Sequence, residues 1–148
     1  MLFAGCGSSE EAKQGPLLLG GGVQAFEAKL RDLRGQPVVV NKWASWCSPC
    51  RAEFPHLRRQ AVKRRGRVAF LGVNSNDNDA GAREFLRENP VPFRSFKDPE
   101  SRIATEMKAA QAFPATAFYD RRGRLEYVKQ GVYSTERQLA EDIERYAR

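Results

Sequence analysis

Two cysteines three positions apart, Cys47 and Cys50, lie in Trp43-Ala44-Ser45-Trp46-Cys47-Ser48-Pro49-Cys50-Arg51-Ala52-Glu53-Phe54-Pro55, where an apolar strand run gives way to a helix. That placement suits thiol–disulfide exchange. A cysteine at a helix N-terminus meets unpaired backbone N–H groups and the positive end of the helix dipole, and both favour thiolate over thiol. A second cysteine one turn inward is within reach to resolve a mixed disulfide. A structural zinc site would need four ligands, and Cys47, Cys50, His56 and Cys6 show no paired spacing, so no metal site is expected. The chain has no glycine-rich phosphate fingerprint and no CxxCH for haem attachment, so no cofactor is expected either.

The pair has to be positioned by its neighbours, and along the chain strand and helix patterns alternate, which points to an α/β domain with a mixed sheet. Phe26, Leu30 and Leu33 recur at helical spacing over residues 24–33, and Gly35-Gln36-Pro37 ends that helix. Val38-Val39-Val40 opens a buried strand that runs into Trp43. A helix over 47–65 follows, with Phe54, Leu57 and Ala61 inward and Pro55 expected to kink it. Arg51 and Glu53 are expected on its surface. Val68 to Val73 reads as a central strand covered on both faces. A helix near 80–88 stops before Pro90, and an extended segment and a short helix near 100–109 come next. Residues 116–119 and 125–129 flank Asp120-Arg121-Arg122-Gly123 and read as a hairpin. Thr135 and Gln138 form a capping box for a last helix with Leu139, Ile143 and Tyr146 inward.

The chain of 148 residues, 41% hydrophobic, is long enough to bury a core as a monomeric single domain. Its net charge of +7 comes mostly from arginine dispersed through most elements. The densest run, Arg58, Arg59, Lys63, Arg64, Arg65 and Arg67, lacks interleaved aromatics and a nucleic-acid-binding motif, so it is read as a solvated helix face and no nucleic-acid partner is expected. Cys6, the third cysteine, follows Leu2-Phe3-Ala4-Gly5 and resembles the end of a bacterial lipoprotein signal, although only five residues precede it. Gly7 to Pro16 is polar and reads as a tether. The expected organisation is a partial lipoprotein signal and tether over 1–23 and a folded domain over 24–148. No run reaches the ~18 apolar residues of a spanning helix.

The order of elements, the segment Trp46-Cys47-Ser48-Pro49-Cys50-Arg51-Ala52-Glu53-Phe54-Pro55 and the later Phe113-Pro114-Ala115-Thr116 resemble the TlpA/ResA-like thioredoxins, over residues 24–147. The tryptophan-flanked motif is specific where a bare CxxC is not. The resemblance implies a thioredoxin-like fold, a sheet of four or five strands with helices on both faces. It also implies a protein-disulfide reductase working outside the cytoplasm, including types that serve cytochrome c maturation. Its partners would be disulfide-bearing exported proteins, such as apocytochrome c, and a membrane thiol donor, with the membrane itself reached through lipid on Cys6. Ser48-Pro49 resembles the reducing branch of such proteins more than the oxidising one.

By the same resemblance Pro114 follows a cis peptide bond beside the dithiol, leaving an edge free for substrate backbone. Trp46 and Pro114, with Phe113, would shape the substrate platform, and Pro49 would fix φ in the first helical turn. Trp43 is assigned to the core. Asn41 stands where cytoplasmic thioredoxins have a buried aspartate; the resemblance implies an acid in the loop after the central strand instead. Counting from Val73-Asn74 places it at Asp77, read either as a desolvated carboxyl of raised pKa exchanging a proton with Cys50 or as part of a generic polar turn, Asn74-Ser75-Asn76-Asp77-Asn78-Asp79. Two other classes share the fold. A thiol peroxidase would use a single peroxidatic cysteine in a threonine-containing loop, and a non-catalytic binding module would have lost one cysteine; here Trp46 precedes Cys47 and Cys50 follows it.

Overall fold

The run Val38-Val39-Val40 heads β2 (Val38–Trp43), in which every residue is buried, and the other elements are arranged about this strand. The computed structural model describes residues 17–148; Cys6 and the tether up to residue 16 lie outside them. The remaining strands are β1 (Leu18–Leu19), β3 (Ala69–Ser75), β4 (Ser95–Asp98), β5 (Ala115–Tyr119) and β6 (Leu125–Gln130). The helices are α1 (Gly22–Asp32), α2 (Ser48–Lys63), α3 (Asp79–Glu88), α4 (Arg102–Glu106) and α5 (Glu136–Tyr146).

The sheet runs β1-β4-β3-β2-β5-β6. β3 lies parallel to β2, β4 to β3 and β1 to β4, whereas β5 is antiparallel to β2 and closes the expected hairpin with β6. Side chains alternate across β2, as strand geometry requires. Val39 and Trp43 join Cys47, Cys50, Phe54, Leu57, Phe85, Leu139 and Ile143 on one face. Val38 and Val40 join Phe26, Ile103 and Met107 on the other. Helices therefore cover both faces, as a mostly parallel sheet demands.

The strand count corrects the expectation of four or five. The sixth strand, β1, has two residues, too few to show any alternation in sequence, and only its pairing with Ser95 and Phe96 defines it. The folded domain thus includes Leu18, inside the stretch expected as tether. The basic run on and just after α2 is a solvated face in part, but two of its members reach α5: Arg59 pairs with Glu136 at 3.0 Å and Arg64 with Glu144 at 3.4 Å. The final helix is capped as its sequence implied, with Thr135 Oγ1 accepting from Gln138 N at 3.2 Å.

Trp43 ties the sheet to the helices beside the dithiol. It stacks on Phe85 at 4.8 Å, meets Phe54 edge-on at 5.4 Å, and its Nε1 donates to Ser95 Oγ at 2.9 Å. That last bond passes over Gly72, where an added Cβ would meet Ser95 Oγ and lie 3.0 Å from Trp43 Nε1. Glycine is required there for lack of room. Gly72→Ala should therefore cost about 1–3 kcal/mol of stability through overpacking, read as a lower urea midpoint at unchanged slope.

Candidate active site

Cys47 is the N-cap of α2. Its backbone is extended (φ −96°, ψ 104°), and its Sγ accepts a hydrogen bond from Cys50 N at 3.2 Å. A sulfur thus takes the place usually filled by a capping oxygen, where the helix presents its free N–H groups. Pro49, exposed in the first turn, lacks an N–H that would be unpaired in any case. Cys47 and Cys50 form a disulfide with their Cα atoms 5.3 Å apart. Cys47 keeps 4% of its surface and Cys50 none. Of the two joined sulfurs' residues, only Cys47 keeps surface open to another molecule.

Beside the pair lies an aromatic ledge. Trp46 is 56% exposed, anchored by Nε1 donating to Asn76 O at 2.9 Å, and its ring lies 4.8 Å from that of Phe113. The Phe113–Pro114 peptide bond is cis, and Pro114 is buried immediately before β5. Trp43, by contrast, is fully buried.

Asp77 does not have the character expected of it. Partial burial would raise its pKa, but its carboxylate accepts from Asn74 Nδ2 (2.9 Å), Ser45 N (2.6 Å), Ser45 Oγ (2.8 Å) and Asn78 N (2.9 Å), and these bonds lower it below the usual aspartate value. It ties the β3–α3 loop to Ser45, just before Trp46 and Cys47. Its capacity is taken up by donors, so it is held ionised.

The carboxyl of raised pKa is Glu53. Expected on the surface, it is fully buried one turn beyond Cys50, with Oε1 accepting from Asn41 Nδ2 at 2.7 Å and Oε2 from Tyr133 N at 2.9 Å. Desolvation pushes its pKa up to about 7, against the opposing effects of the Tyr133 N–H, the Asn41 amide and the Lys129 charge. Asn41 also reaches Thr116 Oγ1 at 3.2 Å, and its own Oδ1 is buried with no hydrogen-bond partner among the described residues. Asn41 thus keeps the buried polar position but serves as a donor to the acid. A signal for Glu53 was present in the sequence: Cys50, Glu53, Leu57 and Gln60 recur at helical spacing, and all four are buried. Arg51 is on the surface, paired with Glu88 at 2.9 Å.

A profile of the AhpC/TSA family matches residues 18–128. The chain belongs to this family. Among curated members of the fold, the thiol:disulfide interchange protein DsbE of Pseudomonas fluorescens biotype C is 37% identical over 93 residues, covering 62% of this chain and 50% of that protein. The thiol-disulfide oxidoreductase ResA of Bacillus subtilis is 29% identical over 104 residues, covering 69% of this chain and 58% of that one. The chain therefore spans between half and two thirds of the length of these relatives. A DsbF homologue from Corynebacterium diphtheriae superposes with a TM-score of 0.71 at 27% identity, over 78% of this chain and 75% of that one. The thioredoxin-like reading of the fold stands with these likenesses.

Glu53 supplies a pH signature. Its folded pKa lies above its unfolded value near 4.5, so the folded state binds more protons in between, and stability must fall as pH rises from about 4.5 through about 7. The loss is on the order of 3 kcal/mol at 1.36 kcal/mol per unit. Glu53→Gln should flatten that part of the profile, seen by comparing urea melts of both proteins at pH 5 and pH 8.

Proposed function

We propose that this chain is a thiol–disulfide oxidoreductase working in the reducing direction on disulfides of exported proteins, with Cys47 as nucleophile and Cys50 as resolving thiol. The observation that carries the reading is the setting of Cys47 Sγ: it caps α2, accepts from Cys50 N, and is the more accessible of two joined sulfurs. The names of the relatives, thiol:disulfide interchange protein and thiol-disulfide oxidoreductase, support it.

From the reduced protein, the Cys47 thiolate attacks one sulfur of a substrate disulfide and expels the other as thiolate, forming a mixed disulfide. Cys50 then loses its proton and attacks Cys47 Sγ. The second substrate sulfur leaves, and Cys47–Cys50 carries away the oxidation in exchange for two electrons. Glu53 is the group suited to take the Cys50 proton. It lies one helical turn on, and its pKa of about 7 allows it to hold or release a proton near neutral pH. Asp77 is already satisfied by four donors, and its part is to fix the loop that carries Ser45 and Trp46. Trp46, Phe113 and Pro114 form the ledge on which the substrate chain lies, with Pro49 holding the turn between the cysteines.

Apocytochrome c with an oxidised CxxCH is the substrate that the resemblance suggests, and a membrane dithiol is the donor that would return the pair to its reduced state. The protein would act outside the cytoplasm as a monomer, held at the membrane by lipid on Cys6. Among the described residues no helix is long and apolar enough to cross a membrane. The thiol-peroxidase alternative has less support, because Cys47 has its resolving partner one turn away.

Two measurements test the reading. Equilibration with glutathione and dithiothreitol buffers should place the Cys47–Cys50 couple near or below roughly −270 mV, as for a reductant; a value near roughly −120 mV would make the protein a disulfide donor. Cys50→Ser should accumulate a dithiothreitol-sensitive adduct with a disulfide peptide, and Cys47→Ser should form none.

A further inference from the structure

Lys42 carries an ionisable amine through the middle of a fully buried strand. It follows Asn41 and precedes Trp43 on β2, its side chain is shut off from water, and its partner on β5 is Ala115, next to Pro114. A buried ammonium is costly unless acceptors meet it. The acceptors here belong to the segment between α4 and β5. Lys42 Nζ donates to Ala109 O at 2.7 Å and stands 3.7 Å from the centre of the Phe113 ring. Phe113 in turn meets Trp46 at 4.8 Å, and Trp46 is held by Asn76 O. An ammonium, an aromatic ring and an indole thus form one series from beneath the sheet to the rim of the dithiol.

Desolvation lowers the Lys42 pKa to about 8, opposed by the Asp98 carboxylate, so the amine is mostly protonated at neutral pH. The segment it holds needs holding. Lys108 adopts φ of 56°, and the backbone between Lys108 and Pro114 is otherwise tied at its ends, by Gln130 Nε2 to Lys108 O at 3.1 Å, Lys108 N to Thr105 O at 3.0 Å, Ala109 N to Ala104 O at 2.8 Å and Gly131 N to Pro114 O at 2.8 Å. A cation attracts the face of a ring and a carbonyl oxygen together, whereas an apolar side chain of similar length would fill the same volume and attract neither.

We propose that Lys42 is a positioning residue of the substrate ledge: by gripping Ala109 and the face of Phe113 it sets where the Phe113–Trp46 pair stands beside Cys47. This rests on the reading of that pair as the ledge for the substrate chain. Lys42 touches no reacting atom, so it should govern how substrate is held and leave exchange at the sulfurs alone.

The test is single-turnover reduction of a peptide with an internal disulfide by pre-reduced protein, together with the rate at which dithiothreitol reduces the oxidised protein. A small dithiol needs no ledge. Lys42→Met should raise the half-saturating peptide concentration five- to tenfold, with the maximal rate and the dithiothreitol rate within twofold of wild type. Phe113→Leu removes part of the ledge itself and should raise the half-saturating peptide concentration at least as far, and the double variant should be no worse than the poorer single one, since both act through one ring. Lys42→Gln keeps a donor for Ala109 O without the charge and should raise the concentration two- to threefold; it also carries the test if Lys42→Met does not fold. Unchanged half-saturation in the lysine variants, additive effects, or an equal fall in the dithiothreitol rate would each overturn the role. Wild-type protein that reacts with dithiothreitol but shows no saturation with peptide would overturn the ledge and this role together.

Discussion

A strand buried on both faces has to hand its chain to the surface somewhere, and in this protein β2 does so at Trp43, directly before the dithiol. Both faces of β2 are packed, with Val39 and Trp43 against α2, α3 and α5, and Val38 and Val40 against α1 and α4. The strand end is therefore fixed, and so is the N-terminus of α2 that follows it after a short turn. Every chemical property of Cys47 depends on that fixed end: the cap geometry, the Cys50 N–H at its sulfur, and a second cysteine one turn inward with no access to solvent. Gly72 and Ser95 serve the same end from the neighbouring strands, because they make room for Trp43 and bond its indole.

The two carboxyls near the site show how local environment divides labour between like groups. Asp77 is surrounded by donors and held ionised, which suits a loop clamp. Glu53 has two donors and no exposed surface, and desolvation wins, so its proton is held up to about 7. Asn41 is part of that balance. An aspartate at this position would set a second negative charge beside Glu53 in a dry interior, whereas the amide donates to it instead.

The ledge is assembled from parts far apart in sequence. Trp46 comes from the turn before α2, Asn76 from the loop after β3, Phe113 from the segment before β5, and Lys42 from within the sheet. Buried charges are costly in each case, and each is matched: Lys42 by a carbonyl and a ring face, Glu53 by an amide and a backbone N–H. Polar groups placed in this way specify one arrangement of the upper edge of the sheet, where apolar contacts alone would tolerate several.

Periodicity and spacing made the larger part of the architecture legible. The apolar runs at 38–40 and 68–73, the helical stripes on α1, α2 and α5, and the glycine turn of the hairpin are local signals, and the structure places elements on each of them. The dithiol and its helix N-terminus were readable for the same reason, since strand, turn and helix are contiguous in sequence. Three things were not. A two-residue strand has no period, so β1 exists only through its pairing with β4. Glu53 lies on the buried stripe of α2, so its inward place could have been read from spacing, but the partners that make it a buried acid, Asn41 and Tyr133, are brought to it only by the packing of α2. Asp77 sits in a polar turn that could equally have surrounded a desolvated acid, and it was the convergence of Ser45 and Asn74 upon it that fixed its charge. The sequence by itself determined that two cysteines stand one turn apart at a helix start, because reactive atoms and helix ends are matters of residue type and spacing. The tertiary structure decided where protons reside and what holds the ledge, because desolvation and hydrogen bonding depend on neighbours that only folding brings together.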